Sequence, residues 1–185
     1  MKTIYLFLAD GFEDIEALAT TDILRRAGLS VCTVSLNENK ISTSAHGVSV
    51  QADAAMAEVA SRGAEAQMLV LPGGMPGATN LSADPRLRKM IEEADAAGVP
   101  LSAICAAPLV YGRMGLLRGV KAVCYPGFEG ELAGAEVQHT PVVVDGRFTT
   151  AWGPGATFAF AFALVERLCG AEKVKELQQG MLIGH

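Results

Sequence analysis

The sequence predicts one α/β domain: a flavodoxin-like three-layer sandwich in which helices cover both faces of a mainly parallel central sheet. Three observations carry this. Short apolar runs of strand length alternate with stretches of helical spacing along the whole chain. The first strand–helix–strand connection is too long for a hairpin, so parallel pairing is expected. The turns rich in glycine, proline and small residues follow the carboxyl ends of strands, the edge at which open α/β sheets bind ligands. With 185 residues, half of them hydrophobic and 19% charged, the chain has enough material for one full core, and no linker or repeat divides residues 1–185.

Thr3–Ala9 is an apolar run cut by Asp10-Gly11, too short for a signal segment or a membrane span, and reads as the first strand of a cytoplasmic protein. From Glu13 to Ala27, Ile15, Leu18, Ala19, Ile23 and Leu24 recur at near-helical spacing, and Gly28 ends the helix. Leu29–Leu36 is the second strand. Ile41–Thr43 and Val48–Val50 flank Ser44-Ala45-His46-Gly47 as a small projecting hairpin. Ala54–Ala60 reads as a short helix, and Gln67–Leu71 as a buried strand ending in the turn Pro72–Gly77. Asp84–Ala97 carries Leu87, Met90, Ile91 and Ala94 on one helical face. Val99–Ile104 is a buried strand that stops at Cys105, with Pro108 suited to a first helical turn and Val110–Leu117 completing that helix. Val120–Cys124 is a further strand, stopped by Tyr125-Pro126-Gly127. Glu136–Thr150 contains short strands with a hairpin turn at Asp145-Gly146. Trp152-Gly153-Pro154-Gly155 opens a long apolar helix, Thr157–Leu168, and Ala171–Gln179 is the last helix.

The formal charge of −5 comes from scattered acids, and the 15 Lys and Arg form no basic cluster, so neither nucleic acid nor a membrane is expected as a partner. Cys32, Cys105, Cys124 and Cys169 contain no C-x-x-C pair, and His46, His139 and His185 have no ligand spacing. No metal, cofactor or disulfide framework is therefore expected; His139 reads as surface and His185 as a disordered tail.

Cys105 stands at a strand end above an expected helix N-terminus, where amide N–H groups and the helix dipole favour a thiolate. A plain buried small hydrophobe fits the same window. Ala106 and Ala107 leave their amides uncovered, and Gly73-Gly74 can present N–H groups to an oxyanion or form a simple turn. Glu13, Asp14 and Glu16 suit a helix start for dipole reasons; Glu16 can also face Cys105, where burial would raise its pKa and make it a proton donor or base.

Asp10–Glu16, Asp22 with Arg25–Gly28, Leu71–Gly74, Ala103–Pro108 and Trp152–Gly155 together resemble the ThiJ/PfpI superfamily, and within it the branch of the parkinsonism-associated deglycase and its bacterial relatives. The likeness covers nearly the whole chain. It implies a homodimer paired through the first helix and the hairpin around His46. It also implies Cys105 as nucleophile on a strained backbone, Glu16 as its protonated partner, and Gly74 and Ala106 as oxyanion donors. Gly73, His46 and Trp152 fall on the substrate side of the same edge. Protease-like branches carry histidine directly after the cysteine; Ala106 stands there, which disfavours a Cys–His peptidase. Two further departures are Tyr125, where histidine is common before the proline, and His46, where arginine is common. A phenol is a poor proton acceptor at neutral pH.

Three functions are compatible with this pattern. The first is a cofactor-free, cysteine-dependent enzyme acting on small reactive carbonyls, glyoxalase- or deglycase-like. The second is a redox-sensing stress protein or holdase working through oxidation of Cys105. The third, carried by the family name alone, is an association with thiazole-phosphate biosynthesis.

Overall fold

The computed structural model describes residues 2–184, so His185 and the expectation for it lie outside the described residues. The opening is β1 (Ile4–Leu8), α1 (Asp14–Arg26) and β2 (Val31–Ser35), and β1 pairs in parallel with β2. β3 (Ile41–Thr43) and β4 (Ser49–Gln51) form the expected hairpin as a separate antiparallel ribbon. Next come β5 (Ala54–Ala55), α2 (Met56–Val59), β6 (Met68–Leu71), α3 (Gly77–Ala83), α4 (Pro85–Ala96), β7 (Leu101–Ile104) and α5 (Pro108–Arg113). The chain continues through β8 (Lys121–Ala122), β9 (Glu136–Val137), β10 (Val142–Asp145), β11 (Phe148–Ala151), α6 (Thr157–Cys169) and α7 (Ala171–Gly180).

Seven strands form the central sheet in the order β10-β11-β7-β6-β1-β2-β5. All neighbours run parallel except β10, which is antiparallel to β11 through the turn at Asp145-Gly146. α1 packs against α6, and α6 against α7, whereas α3 lies against α4 and α5. Two helical layers thus enclose the sheet. The central strands β1, β6 and β7 are buried at every position, which is why they read as unbroken apolar runs and not as alternating ones.

Four details differ from the sequence reading. Ala54–Ala55 is a short edge strand beside β2, and only Met56–Val59 is helical. A seven-residue helix, α3, begins at Gly77 directly after the glycine-rich turn; its Gly and Asn content concealed it. The helix after Cys105 ends at Arg113, because Gly115 takes φ 74° and turns the chain out of it. Of Val120–Cys124 only Lys121–Ala122 is strand, and it pairs with Glu136–Val137 in a separate two-stranded ribbon outside the main sheet.

Candidate active site

Three loops at the carboxyl ends of neighbouring strands meet at one point. The loop after β1 is tied to the loop after β6 by Glu13 N–H to the Gly73 carbonyl at 2.9 Å and Gly77 N–H to the Gly11 carbonyl at 3.2 Å. The same loop is held to the hairpin by Gly11 N–H to the Thr43 carbonyl at 2.7 Å and Ala45 N–H to the Phe12 carbonyl at 2.8 Å. Space at the junction is set by glycine. A Cβ on Gly73 would stand 2.6 Å from the Cys105 Cβ and 2.9 Å from Glu16 Oε2. At Gly74, whose φ is 87°, a Cβ would stand 2.5 Å from both Glu13 N and the Gly11 carbonyl oxygen.

Cys105 is 8% exposed and takes φ 64°, a left-handed conformation costing a non-glycine residue about 1–3 kcal/mol. Two backbone bonds fix it there: Cys105 N–H donates to the Ala151 carbonyl at 2.9 Å, and its own carbonyl accepts from Tyr125 N–H at 2.8 Å. The elbow therefore stands between β11 and the Tyr125 loop. The amides of Gly74 and Ala106 both favour the ionised Cys105 sulfur, and they are the two groups that the family resemblance implies as oxyanion donors.

Glu16, in the first turn of α1, is wholly buried. Its Oε2 accepts from Gly73 N–H at 2.8 Å, while Oε1 is buried without a hydrogen bond to any described protein group. Burial, assisted by the charge of Glu13 and opposed by the Gly73 amide, raises its pKa from 4.5 to about 7. A carboxyl protonated in this range turns its free oxygen into a donor toward the neighbouring sulfur.

The thiol itself departs from the sequence expectation of a lowered pKa. Burial first, and the charge of Glu16 second, push Cys105 up to about 12, against the pull of the Gly74 and Ala106 amides. The helix expected to stabilise a thiolate has only six residues and contributes little. Glu16 and Cys105 consequently behave as one unit: the carboxyl is the first of the two to lose its proton, and its charge then opposes ionisation of the sulfur, so the pair resists a second negative charge.

His46 lies on the exposed hairpin, and its Nδ1 is 2.6 Å from Asp14 Oδ2. The hydrogen bond and charge of Asp14 raise the His46 pKa. Burial alone would raise Asp14, but hydrogen bonds from Ser44 and His46 outweigh it and leave this carboxyl below its usual range. His46 thus reaches the helix start that carries Glu16, with no bond to Cys105.

Glu13 does more than satisfy the dipole preference that its position in the sequence suggests. It is the N-cap of α1, and its Oε2 accepts from Glu16 N–H at 2.7 Å, so it positions the catalytic candidate directly. An acidic residue three positions ahead of a helical glutamate was the available signal. Oxygen or nitrogen atoms of Glu13, Asp14 and His46 come within 4.8 Å of one another, but these groups already bind one another, Ser44 and the helix amide.

Tyr125 and Trp152 are 46% and 39% exposed, and together with Pro126, Gly153, Pro154 and Gly155 they line an open cleft of about 370 Å³. Gly73, by contrast, is buried under Cys105 and contributes backbone to the site and no wall to that cleft.

The sequence profile of the DJ-1/PfpI family matches residues 2–167. Among characterised proteins, DJ-1 homolog B of Arabidopsis thaliana is 39% identical over 95% of this chain, which spans only 40% of that longer protein. Protein dj-1beta of Drosophila melanogaster is 32% identical over the whole chain and 98% of its own length. The glutathione-independent glyoxalase DJR-1.2 of Caenorhabditis elegans is 29% identical over 95% of this chain and 93% of its own. Of solved structures, oxidized Toxoplasma gondii DJ-1 superposes with a TM-score of 0.94 at 32% identity, covering all of both chains. Drosophila melanogaster DJ-1beta gives 0.92 at 32% identity, covering all of this chain and 99% of the other.

Proposed function

The chain belongs to the DJ-1/PfpI family, and on that footing we propose that it is a cysteine-dependent, cofactor-free enzyme acting on small reactive carbonyls in the cytoplasm. The observation that carries this reading is the strained, clamped Cys105 between two inward-facing amides, with a buried carboxyl of raised pKa beside it.

Each group has a task in converting a 2-oxoaldehyde to a 2-hydroxy acid. The Cys105 sulfur adds to the aldehyde carbon, and its proton passes through Glu16 to the resulting alkoxide, giving a hemithioacetal. The amides of Gly74 and Ala106 hold the oxygen while it is charged. Glu16 then takes the proton from the former aldehyde carbon and returns it to the adjacent carbonyl carbon, while the hydroxyl proton passes to that carbonyl's oxygen by way of an enediol, which leaves a thioester of the hydroxy acid. Water hydrolyses that thioester, restores the thiol and accounts for the one water gained overall. The likeness to a glyoxalase at 29% identity supports the substrate class.

Lactate production from methylglyoxal by the wild type and by Cys105→Ala tests this. Turnover in the wild type and none in the variant is expected; no turnover in either discards the enzymatic reading. A second reading, oxidation of Cys105 as a redox signal, draws on the oxidized state in which the Toxoplasma gondii relative was solved.

A further inference from the structure

Tyr125 and Trp152 lie on separate loops, yet the backbone of Cys105 fixes both. Tyr125 N–H donates to the Cys105 carbonyl, and Trp152 directly follows Ala151, whose carbonyl accepts from Cys105 N–H. The cleft that the two residues line, which Cys105 itself does not enter, is thus joined to the elbow through its backbone. Its form is built in: a Cβ on Gly153 would approach Tyr125 Cδ2 to 3.1 Å, so glycine there makes room for the phenol ring. Two prolines complete the wall, and no charged side chain lines it.

We propose that this cleft is the subsite for an apolar substituent on the carbonyl substrate, so that the protein prefers 2-oxoaldehydes bearing an aryl group to methylglyoxal. A methyl group leaves most of a cleft of about 370 Å³ to water, whereas a phenyl ring displaces that water and packs against the Tyr125, Trp152 and proline side chains that line it. The proposal rests on the carbonyl reading for its chemistry. Its recognition step can be measured without turnover, because Trp152 is the single tryptophan of the chain and its fluorescence reports the cleft alone.

The experiment has two arms. In the first, kcat/KM is compared for phenylglyoxal and methylglyoxal; the wild type is expected to favour phenylglyoxal about tenfold or more, and Trp152→Ala to reduce that ratio about fivefold. In the second, Trp152 emission is titrated with mandelate and with lactate, the corresponding hydroxy acids, which differ only in phenyl against methyl. Mandelate is expected to quench with a dissociation constant about tenfold lower, in the wild type and in Cys105→Ala alike. Selective mandelate binding with no turnover of either aldehyde rejects the carbonyl chemistry and keeps the apolar subsite. Equal affinity for the two acids overturns the proposal. So does ligand-free emission that changes with protein concentration, since a second copy of the chain would then cover the cleft.

Discussion

Glu16 is the residue whose ionisation reaches furthest. Its ordinary value of 4.5 applies in the unfolded chain and about 7 in the folded one, so between these limits the native state binds the extra proton. Stability therefore falls as pH rises through this window, and at about 1.4 kcal/mol for each pH unit the loss amounts to about 3 kcal/mol. Urea unfolding at pH 5 and pH 8 should show this difference, and Glu16→Gln, which keeps an acceptor for Gly73 N–H, should flatten it. A variant with the wild-type slope would place the titration elsewhere. Oxidation is a separate matter. Cys169 is exposed and Cys105 buried, so accessibility alone favours Cys169. Peroxide should nevertheless mark Cys105 first if the amides of Gly74 and Ala106 and the Glu16 proton govern reactivity, and mass spectrometry after mild treatment would identify the site. Tyr125 supplies the third residue-scale test. Its amide bonds the Cys105 carbonyl, so position 125 adjoins the elbow backbone, and Tyr125→His should raise turnover at pH 7, by up to about a hundredfold, provided the imidazole reaches the atom that Cys105 attacks. No gain in a folded, substrate-binding variant would remove position 125 from the proton step.

Among the elements, those with strong periodicity are legible in the sequence: β1, α1, β2, α4, β7 and α6 stand within a few residues of where apolar spacing puts them. The misses have physical causes. α3 starts on Gly77 immediately after a turn, and helical spacing cannot be recognised over seven residues. β8 and β9 are two-residue pairings whose partners are set by tertiary contacts that sequence patterns do not encode. At the site, Cys105, Glu16, Gly74 and Ala106 can be brought together from the sequence, since all follow strand ends on one edge. The direction of the thiol's pKa cannot, because it depends on how much water burial removes and on the length of α5. Nor does composition reveal that Glu13 caps α1 through the Glu16 amide. Glu13→Ala should cost about 1 kcal/mol in stability, as loss of an N-cap does, and should lower kcat more than it raises KM because Glu16 loses its anchor. Stability and steady-state assays on the same preparation would separate the two effects.

For the whole molecule, Ile15 and Leu18 on α1 and Val48 on the hairpin are exposed although apolar. We expect a homodimer that covers them, as the family resemblance implies. Sedimentation at micromolar concentration should give twice the mass of the 19.3 kDa chain, and Leu18→Asp should give the monomer; a wild-type monomer refutes the interface. The sheet also separates two kinds of work. Groups that favour a charged sulfur at Cys105 are the main-chain amides of Gly74 and Ala106, and the loop carrying Gly74 has no room for a Cβ there. Tyr125 and Trp152, by contrast, are partly solvent-facing side chains outside the packed interior. On the proposed reading, substitution at position 152 can therefore redraw the range of molecules accepted while the backbone clamp on Cys105 is inherited intact.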